Sequence, residues 1–179
     1  MKVQELGIEE MARLGATHRV VIKAEDLNGV GTGFGALSAS AAANTTGTLI
    51  PFDDLPAGTQ IAFVAGYLKT AFDGTTTTNL TLTLGYDLAS GTDKSAGFLL
   101  ALELHNDATE ILYFPLEYAA ATGTYAAVDT NALQTRISKV FSVACDITAL
   151  FTATAANLTD LLTGEVHLYF RVVDLNKAA

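Results

Sequence analysis

Strict alternation of apolar and polar side chains is the feature that most constrains what this chain can fold into. Within residues 77–86, Leu80, Leu82, Leu84 and Tyr86 fall on every second position, with Thr81 and Thr83 between them. Successive side chains of a strand point to opposite faces, so this spacing predicts a strand with one dry face. The pattern returns over residues 137–149. There Ile137, Lys139, Phe141, Val143, Cys145 and Ile147 share one face, and Ser138, Val140, Ser142, Ala144, Asp146 and Thr148 share the other. After Gly164, Val166, Leu168, Phe170 and Val172 alternate with His167, Tyr169, Arg171 and Val173. The expected inward set is Leu80, Leu82, Leu84, Phe141, Val143, Ile147, Val166, Leu168 and Phe170.

Other segments add strands. Residues 19–27 are strand-like through the β-branched Val20, Val21 and Ile22. Residues 48–52 read as a short strand, and 98–104 as an apolar one. Residues 110–118 read as a strand that Pro115 confines to an edge or a bulge. Residues 61–72 form a longer run in which Ile61, Phe63, Ala65 and Tyr67 alternate with Ala62, Val64, Gly66 and Leu68. Both of its faces are apolar, which places it between layers or at an interface. Turn signals stand at Pro56, Ala57, Gly58 and Thr59, and at Asp73 and Gly74; residues 87–94 form a polar loop. Roughly seven to nine strands in series, without helix–strand alternation, predict a mainly β antiparallel sandwich or barrel.

Two segments depart from this pattern. Residues 2–14 predict a short helix, with Val3, Met11 and Leu14 on one arc, Leu6 and Ile8 at its edges, and Gly15 as a stop. It either packs on its own domain or serves as an arm that docks on a neighbour. Residues 28–47 hold Gly29, Gly31, Gly33, Gly35 and Gly47 among Ala, Ser and Thr. A loop of about 20 residues is long for an idle connection and calls for a role or a partner. The organisation expected is an arm or short helix over 1–18, then one β-sandwich domain over 19–179 with the Gly-rich loop at 28–47.

Charge narrows the function. The chain carries 10 Lys and Arg against 19 Asp and Glu, a net charge of −9. An acidic chain repels phosphate backbones, so no nucleic-acid partner is expected. Charged residues make up 16%, against about 25% in an ordinary domain, and low charge suits a surface that another protein covers. No apolar run reaches the roughly 18 residues of a membrane span, so no membrane partner is expected. The first residues lack a basic-then-apolar signal pattern, so synthesis and residence in a cytosol are expected.

Candidate chemistry is sparse. Gly31, Gly33 and Gly35 superficially resemble a phosphate loop, but Ser and Ala follow them instead of a helix, and no Lys-Ser or Lys-Thr pair completes it. His18, His105 and His167 are scattered, without metal-ligand spacing, and read as surface or interface residues. No Gly-x-Ser-x-Gly turn exposes a nucleophile. Cys145, the single cysteine, reads as a small core residue. Asp53, Asp54, Asp87 and Asp93 are loop carboxylates that folding would have to gather before they held calcium. No catalytic residue, metal or cofactor is expected, and the chain reads as a non-enzyme.

A resemblance gives this reading a direction. Residues 146–158, which begin Asp146, Ile147, Thr148, Ala149, Leu150, Phe151, lead into 162–172, with Gly164, Glu165, Val166, His167, Leu168, Tyr169 and Phe170. That stretch resembles small proteins encoded among the head genes of tailed bacteriophages. Residues 67–72, 80–85 and 14–18 fit the same family, whereas the Gly-rich loop and residues 98–118 are this chain's own. The resemblance implies a capsid decoration, or cement, protein with a jelly-roll-like β-sandwich. It implies binding to the major capsid protein on the outside of the shell, commonly as a homotrimer, after synthesis in the bacterial host cytoplasm. Val3, Leu6, Met11 and Leu14, with Gly31, Gly33 and Phe34 in the loop, are the expected subunit or capsid contacts. The alternative reading is a receptor- or glycan-binding module of a head or tail fibre, with Phe114, Tyr118 and Tyr125 as candidate sugar-stacking residues.

Overall fold

The computed structural model describes residues 1–28, 45–105, 111–113, 138–154 and 157–177. Ten strands are described: β1 (Lys2–Glu5), β2 (His18–Lys23), β3 (Thr46–Leu55), β4 (Thr59–Gly74), β5 (Asn79–Leu88), β6 (Lys94–Glu103), β7 (Ile111–Tyr113), β8 (Ser138–Val140), β9 (Cys145–Thr154) and β10 (Leu161–Asp174). Two short α-helices accompany them, α1 (Ile8–Leu14) and α2 (Ala24–Leu27). The strands form two antiparallel sheets. The first runs β1-β2-β10-β4-β7, with β8 also on β4; the second runs β3-β9-β5-β6.

The core lies between the sheets, and the alternation in the sequence builds it. Leu80, Leu82, Leu84 and Tyr86 of β5 and Ile147, Ala149 and Phe151 of β9 face Val166, Leu168 and Phe170 of β10 with Ile61 and Phe63 of β4, all buried. Phe170 packs edge-on against Phe52 at 5.3 Å, and Phe63 lies 5.5 Å away. Of the expected inward set only Val143 departs, being half-buried. The reason is a change of sheet. Residues 137–149 were expected to be one strand, but the chain leaves β8 and crosses to β9 over residues 141–144. Phe141 is still tied to the start of β4, its N–H donating to Thr59 O at 3.0 Å and its carbonyl accepting from Gly58 N–H at 2.8 Å. From Cys145 onward the partner is β5.

Three further expectations need correction. The helix expected over residues 2–14 covers only α1, because Lys2–Glu5 pairs with β2 as an edge strand. The strand expected over 19–27 stops at Lys23. There the Asp26 carboxylate accepts the Lys23 N–H at 2.8 Å and starts the turn of α2, which still delivers Leu27 to the core. In β4 strict alternation fails. Tyr169 opposes Ala65 but Phe170 opposes Phe63, so Val64 is an extra residue, and a second irregularity follows at Lys69. A bulge shifts the side-chain phase by one, which is how Phe63 and Leu68 both point inward.

Candidate interaction site

The first exposed feature is the excursion between β1 and β2. Its neck is fastened: Leu6 N–H donates to Thr17 O, Thr17 N–H to Phe170 O, and Val172 N–H to Thr17 Oγ1, all at 2.8–2.9 Å. Leu6 and Ala16 are buried beneath it. Gly15 closes α1 with a left-handed turn, φ 67°, its N–H donating to Met11 O. Above the neck α1 buries no residue, and Ile8 is 82% exposed. Of the expected contacts, Val3 and Leu14 are therefore exposed and Met11 half-exposed. Leu6 is corrected: at 6% exposure it anchors the neck and is closed to a partner. Gly31, Gly33 and Phe34 lie outside the described residues, as do Phe114, Tyr118 and Tyr125.

The second feature is the outer face of the first sheet. Register aligns Lys2, Val21, His167 and Tyr67 across it, with Gln4, Arg19, Tyr169 and Ala65 in the next row. Glu165 Oε1 accepts from His167 Nε2 at 2.7 Å and from Lys69 Nζ at 3.1 Å. These bonds, the His167 one first, hold the Glu165 carboxyl below its usual range. The Tyr67 ring stands edge-on to His167 at 5.8 Å. Arg19 donates to Gln4 Oε1 at 2.8 Å, and its buried Nε has no partner.

The third is a cleft of about 180 Å³ at one end of the second sheet, lined by Asp54, Asp87, Leu88, Ala89, Ala144, Cys145 and Asp146. Folding does gather carboxylates here. Asp146 Oδ1, however, accepts the Asp54 N–H at 2.7 Å, and Asp93 Oδ1 accepts the Leu88 N–H at 2.8 Å. Among the described residues no group of three or more His, Cys, Asp or Glu is arranged to hold a metal. Burial, and then Asp146, push the Cys145 thiol up to about 11, which suppresses the nucleophilic thiolate.

The remaining histidines are held by structural bonds. His105 departs from the expected surface or interface position: it is buried, with Nδ1 2.8 Å from Phe72 O, whereas His18 Nδ1 lies 2.8 Å from Thr17 Oγ1 with its ring edge-on to Phe52. Sequence reasoning placed His167, Tyr169 and Arg171 on one strand face. It missed their neighbours Lys2, Arg19 and Lys69, because those come from other strands and only register joins them. Comparison with protein-family models, with curated proteins and with solved structures finds no match.

Proposed function

We propose that this chain is a non-catalytic virion protein of a tailed bacteriophage that decorates and stabilises the capsid shell. The observation that carries the reading is strand order. Taking β7 and β8 as two pieces of one position on β4, the sheets read β2-β10-β4-(β7, β8) and β3-β9-β5-β6. The chain enters the second sheet for β3, returns for β4, crosses for β5 and β6, returns for β7 and β8, and crosses for β9 before β10. We read this order, with β7 and β8 merged, as the double Greek key of a jelly roll, an architecture used by capsid and lectin domains. Fold alone does not fix function; the resemblance of residues 146–172 to phage head proteins selects the capsid role. The uncovered α1 supplies an attachment device suited to it. Helices this short are marginal alone in water, so a partner that covers Ile8, Met11 and Leu14 would add stability to both.

The mechanism is linkage. A protein that binds the assembled lattice and not free subunits stabilises the lattice by mass action, and many copies multiply the effect. The test is co-sedimentation with expanded shells assembled from the major capsid protein of the phage that carries this chain. Saturable binding to shells, with no binding to unassembled subunits, is expected. A variant with residues 8–14 replaced by a short turn should fold and bind shells at least about tenfold more weakly, the loss of about 1.4 kcal/mol. Absence of shell binding by the intact chain would overturn the reading.

A further inference from the structure

The chain is acidic, yet its cations are not spread evenly. Lys2, Arg19, Lys23, Lys69 and Arg171, half of its 10 basic residues, come to the outer face of the first sheet through β1, β2, β4 and β10. Glu165 answers Lys69, and Glu25 lies 3.9 Å from Lys23. Among the described residues, Lys2, Arg19 and Arg171 have no carboxylate within ion-pairing distance. Tyr67, Tyr169 and His167 fill the middle of the face, each half-buried. Arg and Tyr side by side are the residue types that carry energy at protein interfaces. The opposite charge gathers elsewhere. Asp54, Asp87 and Asp146 line one cleft at the end of the second sheet, with Asp93 close to Asp87. Among the described residues none of these four forms an ion pair with a Lys or Arg, and all but Asp146 are exposed.

We propose that the basic outer face of the first sheet docks a second copy of this chain, through that copy's acidic rim of Asp54, Asp87, Asp93 and Asp146. Among the described residues, Lys2, Arg19 and Arg171 on one patch and the four rim carboxylates on the other have no ion-pair partner in their own molecule, and each set finds one in the other. Contact between two different patches is heterologous, and such contacts close into rings when the rotation between copies permits. A trimer is one such ring, so the inference deepens the homo-oligomer expected of a decoration protein. It rests on that part of the reading alone and does not depend on shell binding. The association is electrostatic at its centre and weakens with salt, since the screening length falls from about 30 Å at 0.01 M to about 3 Å at 1 M.

The experiment is sedimentation velocity of the full chain at both ionic strengths, with variants that reverse one patch at a time. Lys2→Glu with Arg171→Glu reverses exposed positions of the basic face. Asp87→Lys reverses the rim and replaces a like-charge pair with Asp146 by an opposite one, so the fold is kept. Each variant alone should self-associate at least about tenfold more weakly than the parent, and a mixture of the two should regain association. The milder Arg171→Gln and Asp87→Asn, with circular dichroism as the check of folding, should reproduce the losses in smaller degree. A parent oligomer indifferent to salt and to both reversals overturns this contact but leaves a homo-oligomer standing. A parent that stays monomeric at every concentration and ionic strength overturns both. Weakening by the basic-face reversal alone, with no effect of Asp87→Lys, overturns the acidic rim as the patch that the second copy presents.

Discussion

The strand pairs β5–β9 and β4–β10 are both long and both line the core, but they are built differently. Between β5 and β9 the register runs without a break from Asn79 opposite Thr154 to Leu88 opposite Cys145. Between β4 and β10 it shifts four times, at Leu161/Thr163, Thr163/Glu165, Glu165/Val166 and Tyr169/Phe170. The first pair keeps one phase, so alternation in sequence maps directly onto faces. The second changes phase, which bends the central strands and turns Glu165, His167 and Lys69 together on the outer face. Bulges re-aim side chains in this way; here both pairs supply core residues, and the irregular pair also carries the outer polar cluster.

Core truncation should show the largest effect and should not distinguish the pairs. Leu82 and Phe170 are both fully buried. Leu82→Ala is expected to cost about 2–5 kcal/mol and Phe170→Ala about 3–5 kcal/mol. Thermal or denaturant unfolding checks both. A near-zero loss at Phe170 alone would mean that the bulged half of the core is loosely packed, and the comparison would then be one of rigidity as well as register.

Glycines sharpen the contrast within β4–β10 itself. Gly164 has φ +143°, and a Cβ there would lie 2.3 Å from the Phe72 ring. Gly164→Ala therefore combines a backbone conformation foreign to L-residues with overpacking, for about 2–4 kcal/mol. Gly66 sits in a regular stretch of the same pair, and a Cβ there meets Phe63 and Leu168 at 3.5 and 3.6 Å, ordinary contact. Gly66→Ala should be neutral or stabilising by about 0.4–1 kcal/mol, since alanine restricts the unfolded chain. Equal melting temperatures for the two variants would break the assignment of the bulge at Gly164.

Legibility from sequence follows the same division. Leu80 to Tyr86 and Val166 to Phe170 stand where unbroken alternation puts them, because the extra residues at the nearby register shifts, Val64 and Lys69, lie in β4 and not in β5 or β10. Val143 departs from its alternation because a strand that changes sheets keeps its sequence pattern while losing its partner. Alternation puts Leu68 on the face opposite Phe63, because an inserted Val64 is invisible without the neighbouring strand. Pro51, within β3, is a case where the irregularity has a chemical cause. It has no N–H to give, and the β3–β9 register shifts between Leu49 and Phe52. The outer-face cluster was out of reach, since its members lie on four strands distant in sequence.

A moderate effect comes from pH at the junction between neck and core. Burial holds the His18 imidazole below its ordinary 6.5, with Glu5 acting weakly in the opposite sense. As pH falls below that value the unfolded chain takes up a proton before the folded one does. Stability from this group is therefore full above about pH 6.5 and is lost as pH falls through the lower folded-state value. Between about pH 7.5 and about pH 5 the parent should lose more thermal stability than His18→Gln. Parallel curves would show that the ring is open to solvent.

The smallest effects have opposite signs in the two pairs. In β4–β10, Glu165 is held ionised by His167 and Lys69, so its contribution is present above the ordinary glutamate range and lost as pH falls through its lowered folded-state value. In β5–β9, Asp87 stands directly opposite Asp146. Desolvation first, then Asp93 and Asp146, raise its carboxyl above the usual value. The folded chain thus binds that proton more tightly than the unfolded one, and ionised Asp87 costs stability at neutral pH. The cost disappears as pH falls through the raised value. Glu165→Gln should lower the melting temperature at pH 7 and Asp87→Asn should raise it, each within the roughly 0.2–1 kcal/mol of a cross-strand pair. Both differences should fade on acidification, as the native carboxyls themselves become neutral. A loss of stability in Asp87→Asn would mean that the rim carboxylates are already compensated, and would remove the unneutralised charge on which docking of a second copy depends.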